Sequence, residues 1–321
     1  MLLRGLIQTI LTLSLTQLVP VDGAILERAA KLPTAESRSA LLEAATLAGR
    51  QVSLPLSDQR APSRVEEGSV GVVTSAKSVL VVDRQTGLTL YAKNPDEVRP
   101  VGSISKLMTA LVFLQDAPDL GAAASVLNED YRPGGRVYLA ANDPVTVADL
   151  LHASLVGSDN TATMSLVRIS RMSEVDFVSQ MNTRAAELGM MATVFHDPTG
   201  LSPRNVSSAR DIIRLLEEVQ AEADIASTIV LPEIIITQGS GRAVTIPSTD
   251  ELLTSFINQP PFAMLGGKTG YLPEAGYGIG VGVRHDGDGD VFIVLLGSDT
   301  KDTRVQEVKG LASWVYRVFE W

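Results

Sequence analysis

Residues that favour strands lie towards the two ends of this chain, and residues that favour helices lie between them. SVLVVD and LTLYA, at 78–83 and 88–92, are β-branched and apolar runs on either side of a glycine-containing turn, which predicts a hairpin. Strand signals return in MLGGKTGY, AGYGIGVGVRH and DVFIVLLGS. From Ser103 to about Leu216, apolar residues recur three and four apart in SKLMTALVFLQ, TVADLLHASL, NTATMSLVRIS, EVDFVSQMNTRAAELG and SARDIIRLLEEV. Thr146 and Ser173, followed three residues later by Asp149 and Asp176, are capping signals. The pattern implies an α/β fold, with one sheet assembled from both ends and a helical subdomain between them. In such a fold the last amphipathic stretch, with Leu311, Trp314, Val315 and Phe319, packs on the sheet and not on a membrane.

The 321 residues, 45% hydrophobic and 20% charged, suffice for one large domain or two small ones. A net charge of −10 without a basic block leaves no electrostatic footprint for nucleic acid. With no cysteine, thiol nucleophiles, disulfides and cysteine-bound metals are excluded. Arg4 precedes LIQTILTLSLTQLV, an apolar run too interrupted by Gln8, Thr9, Thr12 and Gln17 for a membrane span. With Val21 and Gly23 after it, residues 1–23 read as a secretory signal peptide, with an uncleaved N-terminal anchor as the alternative, and the expected location is the periplasm or outside the cell. Residues 24–70, carrying Pro55 and Pro62 and little periodicity, read as a spacer, leaving 71–321 as the working domain. There is no internal repeat.

VGSISKLMTA, at 101–110, places Ser103 three residues before Lys106 at the start of an apolar helix. That spacing puts a hydroxyl and an amine on one face, about one turn apart. Amide N–H groups at the helix start favour an oxyanion, and burial of the apolar helix favours a neutral lysine that accepts the serine proton. Ser298 and Lys301 share the spacing but fall at a strand end, so Ser298→Ala is expected to be neutral. No G-x-S-x-G elbow accompanies His152, His196 or His285, and a lysine base accounts for the serine better than a histidine does. DGDGD, at 286–290, lacks the glycine and glutamate of a calcium loop and reads as a tight turn.

Two further motifs bear on the same chemistry. GSDN brings Ser158 and Asn160 to a loop between helices, where a hydroxyl and an amide can relay a proton and grip a substrate amide. GGKTGY brings Lys268, Thr269, Gly270 and Tyr271 to a strand whose glycines admit another backbone and whose lysine and threonine can meet a carboxylate.

Serine-x-x-lysine, SDN and KTG in this order are the trio of penicillin-binding proteins and class A β-lactamases. From about Ala76 to Trp314 the chain resembles the low-molecular-mass penicillin-binding proteins, the serine D-alanyl-D-alanine carboxypeptidases and endopeptidases. VRPVGSISKLMTALV, VTVADLLHASLVGSDNTA, MNTRAAELGMMATVFHDPTGLSPRNVSSARD and GGKTGYLPEAGYGIGV carry the likeness, and DPTGL with VSSARD is most like the endopeptidase branch of the penicillin-binding protein 7 type. The resemblance implies the β-lactamase/transpeptidase-like fold, an antiparallel sheet flanked by helices with a helical subdomain inserted between N- and C-terminal strands.

It also implies Ser103 as acylated nucleophile, Lys106 as base, Ser158 and Asn160 as the second motif, and Lys268 and Thr269 as carboxylate ligands. The N–H groups of Ser103 and Tyr271 would form the oxyanion hole, independently of the tyrosine side chain. Gly102 and Ser105 stand where the family often has alanine and threonine. The sequon at Asn205 carries no meaning in a bacterial family. The implied partners are peptidoglycan peptide stems, with β-lactams as covalent inhibitors, and no metal or organic cofactor is required. Cell-wall remodelling is the implied role.

Two alternatives remain at this point. A class A β-lactamase would need a glutamate where this chain has HDPTGLSPRN. A penicillin sensor or scaffold would acylate without turnover and need a membrane segment to transmit its signal.

Overall fold

The computed structural model describes residues 61–321. The signal peptide expected at 1–23, and the spacer as far as residue 60, lie outside them. Strands β1 (Ser78–Asp83) and β2 (Thr89–Lys93) form the expected hairpin. A second hairpin, β3 (Glu233–Thr237) and β4 (Ala243–Pro247), follows the helical region, and β5 (Phe262–Leu272), β6 (Gly276–His285) and β7 (Asp290–Ser298) come after it. The main sheet has the order β5-β6-β7-β1-β2, antiparallel throughout. Its centre is the pairing of β1 with β7, so neither terminal region can complete the sheet alone.

Alternation along the central strands explains why the sheet is covered on both sides. Leu80, Val82, Phe292 and Val294 point into one core, and Val79, Val81, Ile293 and Leu295 into the other. On the second face lies helix α7 (Lys301–Val318), which packs Val308, Leu311, Trp314 and Val315 onto the sheet, as the sequence predicts. The helical subdomain covers the first face with α1 (Ser105–Leu114), α2 (Val147–Leu155), α3 (Asn160–Ile169), α4 (Glu174–Glu187), α5 (Ala209–Ala221) and α6 (Ala223–Thr228). Thr146 and Ser173 cap α2 and α4 by accepting from the Asp149 and Asp176 amides. Asp286–Asp290 is the turn between β6 and β7. None of the described helices is long and apolar enough to cross a membrane.

The folded unit starts earlier than the boundary expected at residue 71. Ser63–Arg64 pairs with Phe319–Glu320, and the Trp314 indole N–H donates to Ser69 Oγ at 2.7 Å. These contacts bring 61–70, expected in the spacer, into the compact unit Ala61–Trp321. Prolines near this stretch suggested a linker, but pairing with residues far along the chain overrides that local signal.

Ser298 is no neutral position. Its side chain is fully buried at the end of β7 and donates to Glu307 Oε2 at 2.7 Å, while Glu307 Oε1 accepts from the Ser75 amide. Ser298→Ala leaves a buried carboxylate oxygen without its donor, so the variant should lose about 1–3 kcal/mol. A lower urea midpoint with an unchanged slope is the expected result, and a wild-type midpoint would contradict it.

Candidate active site

The nucleophile motif sits on a distorted helix start. Gly102–Ile104 forms a 3₁₀ turn that leads directly into α1, so the half-buried Ser103 precedes the α-helix and Lys106 lies in its first turn. Nine of the ten α1 residues are buried, because the helix passes through the centre of the helical subdomain. The Lys106 side chain is therefore wholly enclosed.

Its ammonium position is fixed by three oxygens. Lys106 Nζ lies 3.0 Å from Ser103 Oγ, 2.7 Å from Asn160 Oδ1 and 2.6 Å from the Thr199 carbonyl. Asn160 in turn donates through Nδ2 to the Gly134 carbonyl at 2.8 Å, which fixes its Oδ1 as the acceptor facing Lys106. A neutral amine has two N–H donors and one lone pair. Asn160 Oδ1 and the Thr199 carbonyl can only accept, so they take both donors, and the lone pair is left for the Ser103 hydroxyl proton. Burial lowers the Lys106 pKa to about 7, against the opposing charges of Asp197 and Asp159. Chemically the pair can activate a hydroxyl at neutral pH.

The Thr199 carbonyl is delivered by a loop whose folding is visible atom by atom. Asp197 Oδ1 accepts from Thr199 N at 2.7 Å and from Gly200 N at 2.8 Å, and Oδ2 accepts from Ser202 N at 2.8 Å. Buried Asn205 Nδ2 donates to the Asp197 carbonyl at 2.8 Å and to Ser105 Oγ at 3.0 Å, tying the loop to α1. HDPTGLSPRN thus positions the lysine, and burial removes the Asn205 sequon from the surface. Asp197, Thr199 and Asn205 were not among the residues expected at the site. The only sequence signal is the D-x-T-G turn chemistry.

The SDN motif arrives from the other side of Ser103. Asp159 caps α3 through Thr161 N and Ala162 N at 2.8 and 3.1 Å, which makes Asn160 the first helical residue and turns it inward. Ser158 has φ 56°, a strained left-handed conformation for a serine, and it lines the cleft beside Ser103.

The KTG motif closes the third side, on β5 at the sheet edge. Its glycine is required: a Cβ on Gly270 would stand 2.2 Å from the Val101 carbonyl. Likewise a Cβ on Gly102, whose φ is +54°, would stand 2.9 Å from Tyr271 N, so the Tyr271 amide abuts the Ser103 turn. Lys268 is fully buried, and among the described residues its Nζ has only Thr249 Oγ1 at 3.3 Å and the Thr269 carbonyl at 3.4 Å as partners. Burial, with Lys106 and Arg304 as like charges, holds its pKa well below the usual lysine range, while Asp250 opposes the shift.

A cleft of about 610 Å³ joins these elements, with Ser103, Ser158, Asn160, Thr269, Gly270 and Tyr271 on its walls and Lys106 and Lys268 beneath. Thr249 and Arg304 also line it and were not anticipated, since they belong to the segment after β4 and to α7. Arg304 Nη2 meets Glu251 at 3.1 Å, and its guanidinium lies 6.0 Å from the Tyr277 ring centroid. The histidines lie elsewhere: His285 stacks on Tyr316 and pairs with Asp288 at 2.6 Å, His152 is half-buried, and His196 is exposed. None of the three lines the cleft.

A serine beside a buried amine, a polar relay and a cation-lined end define an acyl-transfer site of the serine–lysine class. The sequence pattern of the family described as D-alanyl-D-alanine carboxypeptidase matches residues 65–300, and the chain belongs to that family of serine peptidases. It is 34% identical over 206 residues to a D-alanyl-D-alanine endopeptidase of Haemophilus influenzae, covering 64% of this chain and 69% of the relative. A D-alanyl-D-alanine carboxypeptidase of Bacillus subtilis is 26% identical over 251 residues, covering 76% and 63%. The crystal structure of a D-alanyl-D-alanine carboxypeptidase from Mycobacterium tuberculosis superposes with a TM-score of 0.70 at 25% identity, covering 81% of this chain and 96% of that one.

Three outcomes follow from the geometry. Acylation of Ser103 by penicillin needs the neutral amine, so its rate should rise with pH through about 7 and level off above. One unit below that value the rate should be about tenfold under the plateau, and Lys106→Ala should nearly abolish labelling while the protein stays folded. A flat profile between pH 5 and 9 would remove Lys106 from the base role. Gly270→Ala, which pushes β5 off the Ser103 turn, should slow acylation by about 100-fold.

Proposed function

We propose that this protein is an exported serine DD-peptidase that hydrolyses D-alanyl peptide bonds in peptidoglycan through an acyl-enzyme on Ser103. The observation that carries the reading is the Lys106 amine, 3.0 Å from Ser103 Oγ and held by two obligate acceptors, an arrangement that in the neutral form leaves the lone pair for the serine. Ser103 Oγ attacks the carbonyl of the D-alanine as its proton passes to Lys106 Nζ. The oxyanion forms between the Ser103 and Tyr271 amides, and the proton reaches the leaving amine through Ser158 as the C–N bond breaks. A water then gives a proton to Lys106 as its oxygen attacks the ester carbonyl, and Lys106 returns that proton to Ser103 Oγ as the ester C–O bond breaks. Asn160 orients the substrate amide, and Lys268 and Thr269 hold the carboxylate of the leaving group or of penicillin.

Greater likeness to a relative named an endopeptidase than to one named a carboxypeptidase supports cross-link cleavage over trimming of free pentapeptide ends. The export signal read at 1–23 supports action in the periplasm or outside the cell, in remodelling of the wall. Against a class A β-lactamase stands the loop at 196–205. Its one carboxylate, Asp197, is occupied by backbone amides and is not free to activate water.

Incubation with uncross-linked pentapeptides and cross-linked dimers, read by mass, tests the assignment, with Ser103→Ala alongside. Dimers resolving into monomers is the expected result. Loss of one alanine from the pentapeptide alone makes the enzyme a carboxypeptidase. Penicillin labelling without peptide cleavage supports a sensor or scaffold and overturns the peptidase reading, and rapid penicillin turnover supports a β-lactamase.

A further inference from the structure

The cleft depends on two buried lysines with opposite requirements. Lys106 must be neutral to take a proton, whereas Lys268 must be charged to hold a carboxylate. Burial works against charge on both. Among the described residues, no carboxylate lies within ion-pair distance of Lys268 Nζ, and its two oxygen partners, at 3.3 and 3.4 Å, are uncharged and long.

Asp250 is the buried acid beside this pocket. It follows Thr249, the residue whose hydroxyl meets both Lys268 Nζ and Thr269 Oγ1, and its side chain is 4% exposed. One oxygen, Oδ1, caps the short turn Glu251–Thr254 by accepting from Leu252 N at 3.0 Å. The other, Oδ2, is buried with no hydrogen-bond partner among the described residues. The two acids that act on Lys106 differ in this respect. Asp197 and Asp159 each accept several backbone N–H bonds, which compensate their charge. An unpaired buried carboxylate oxygen is costly and is retained where its field does something. Of the other charges here, Arg304 on α7 shares Glu251 with Lys301 and also faces Asp250, and both Arg304 and Lys106 repel Lys268.

We propose that Asp250 is a positioning residue whose uncompensated carboxylate keeps Lys268 charged and so sets the affinity of the site for anionic leaving groups. The inference rests on the DD-peptidase reading in taking Lys268 as the carboxylate ligand. Asp250 touches neither substrate nor the reacting atoms; it acts through Lys268.

Asp250→Asn isolates the charge. The asparagine oxygen keeps the cap, and the amide nitrogen replaces an oxygen that had no partner. The measurement is acylation of Ser103 by benzylpenicillin and by its methyl ester, which lacks the carboxylate, with the acid-to-ester rate ratio as readout. Both reagents need Lys106 equally, so its titration cancels in the ratio. The variant should lose about tenfold in that ratio. Lys268→Arg should restore most of it when combined with Asp250→Asn, because a guanidinium stays charged without a counter-ion. An unchanged ratio, equal losses on acid and ester, or a double variant no better than the single one would overturn the proposal, as would an Asp250→Asn protein that does not fold. Wild-type protein that is acylated but cleaves no peptide would sink the peptidase reading while the ratio still decides the role of Asp250.

Discussion

Enclosure of the Lys106 amine by Ser103, Asn160 and the Thr199 carbonyl is the interaction on which the rest of the site depends. It draws one oxygen from each of three separate parts of the chain: the turn before α1, the first residue of α3, and the loop at 196–205. Each oxygen has its own anchoring. Asn160 is held by the Asp159 cap and the Gly134 carbonyl, and Thr199 by the Asp197 carboxylate. A shift in any one would either leave a buried N–H without an acceptor or turn the lone pair away from the serine. The helical subdomain is in this sense the housing of one amine.

The sheet performs the complementary task. β5 is an edge strand, the position from which a strand can pair with a peptide, and its inner positions carry Lys268 and Thr269, the proposed carboxylate ligands. Close approach of β5 to the Ser103 turn is possible because Gly270 and Gly102 have no side chains to separate them. The two halves of the active site therefore meet backbone to backbone, and glycines are the residues that permit it.

How much of this was legible in the sequence depended on the range of the interaction. Ser103 and Lys106 are one turn apart, so periodicity alone places them together. The hairpin of 78–93, the caps at Thr146 and Ser173, and the turn at 286–290 are likewise local. The β3–β4 hairpin carried a usable signal in EIIIT and AVTIP around QGSGR, but nothing there says that its exit delivers Thr249 and Asp250 to Lys268. Arg304 and Thr199 are similar cases, being an ordinary helix arginine and a loop carbonyl until the tertiary fold brings them to the cleft. The chain positions of the three motifs could be read, whereas the residues that tune them could not, because tuning comes from neighbours distant in sequence. Ser298 shows the converse error: its place at a strand end suggested an idle serine, and burial against Glu307 makes it structural.

The electrostatic design turns on how carboxylates are compensated more than on how many there are. The chain carries a net charge of −10, yet its cleft is lined or underlain by Lys106, Lys268, Lys301 and Arg304. Asp197 and Asp159 spend their charge on backbone amides and thereby build loops and caps, leaving Lys106 poised near neutrality. Glu251 is shared by Lys301 and Arg304 at the rim. Among the described carboxylates only Asp250 combines deep burial with an oxygen free of donors, and burial raises its pKa to about 6, low enough for the carboxylate to stay mostly ionised at neutral pH. On the proposed role of Asp250, two lysines on facing elements of one cleft hold different charge states because the acids nearest them differ in what else they bind.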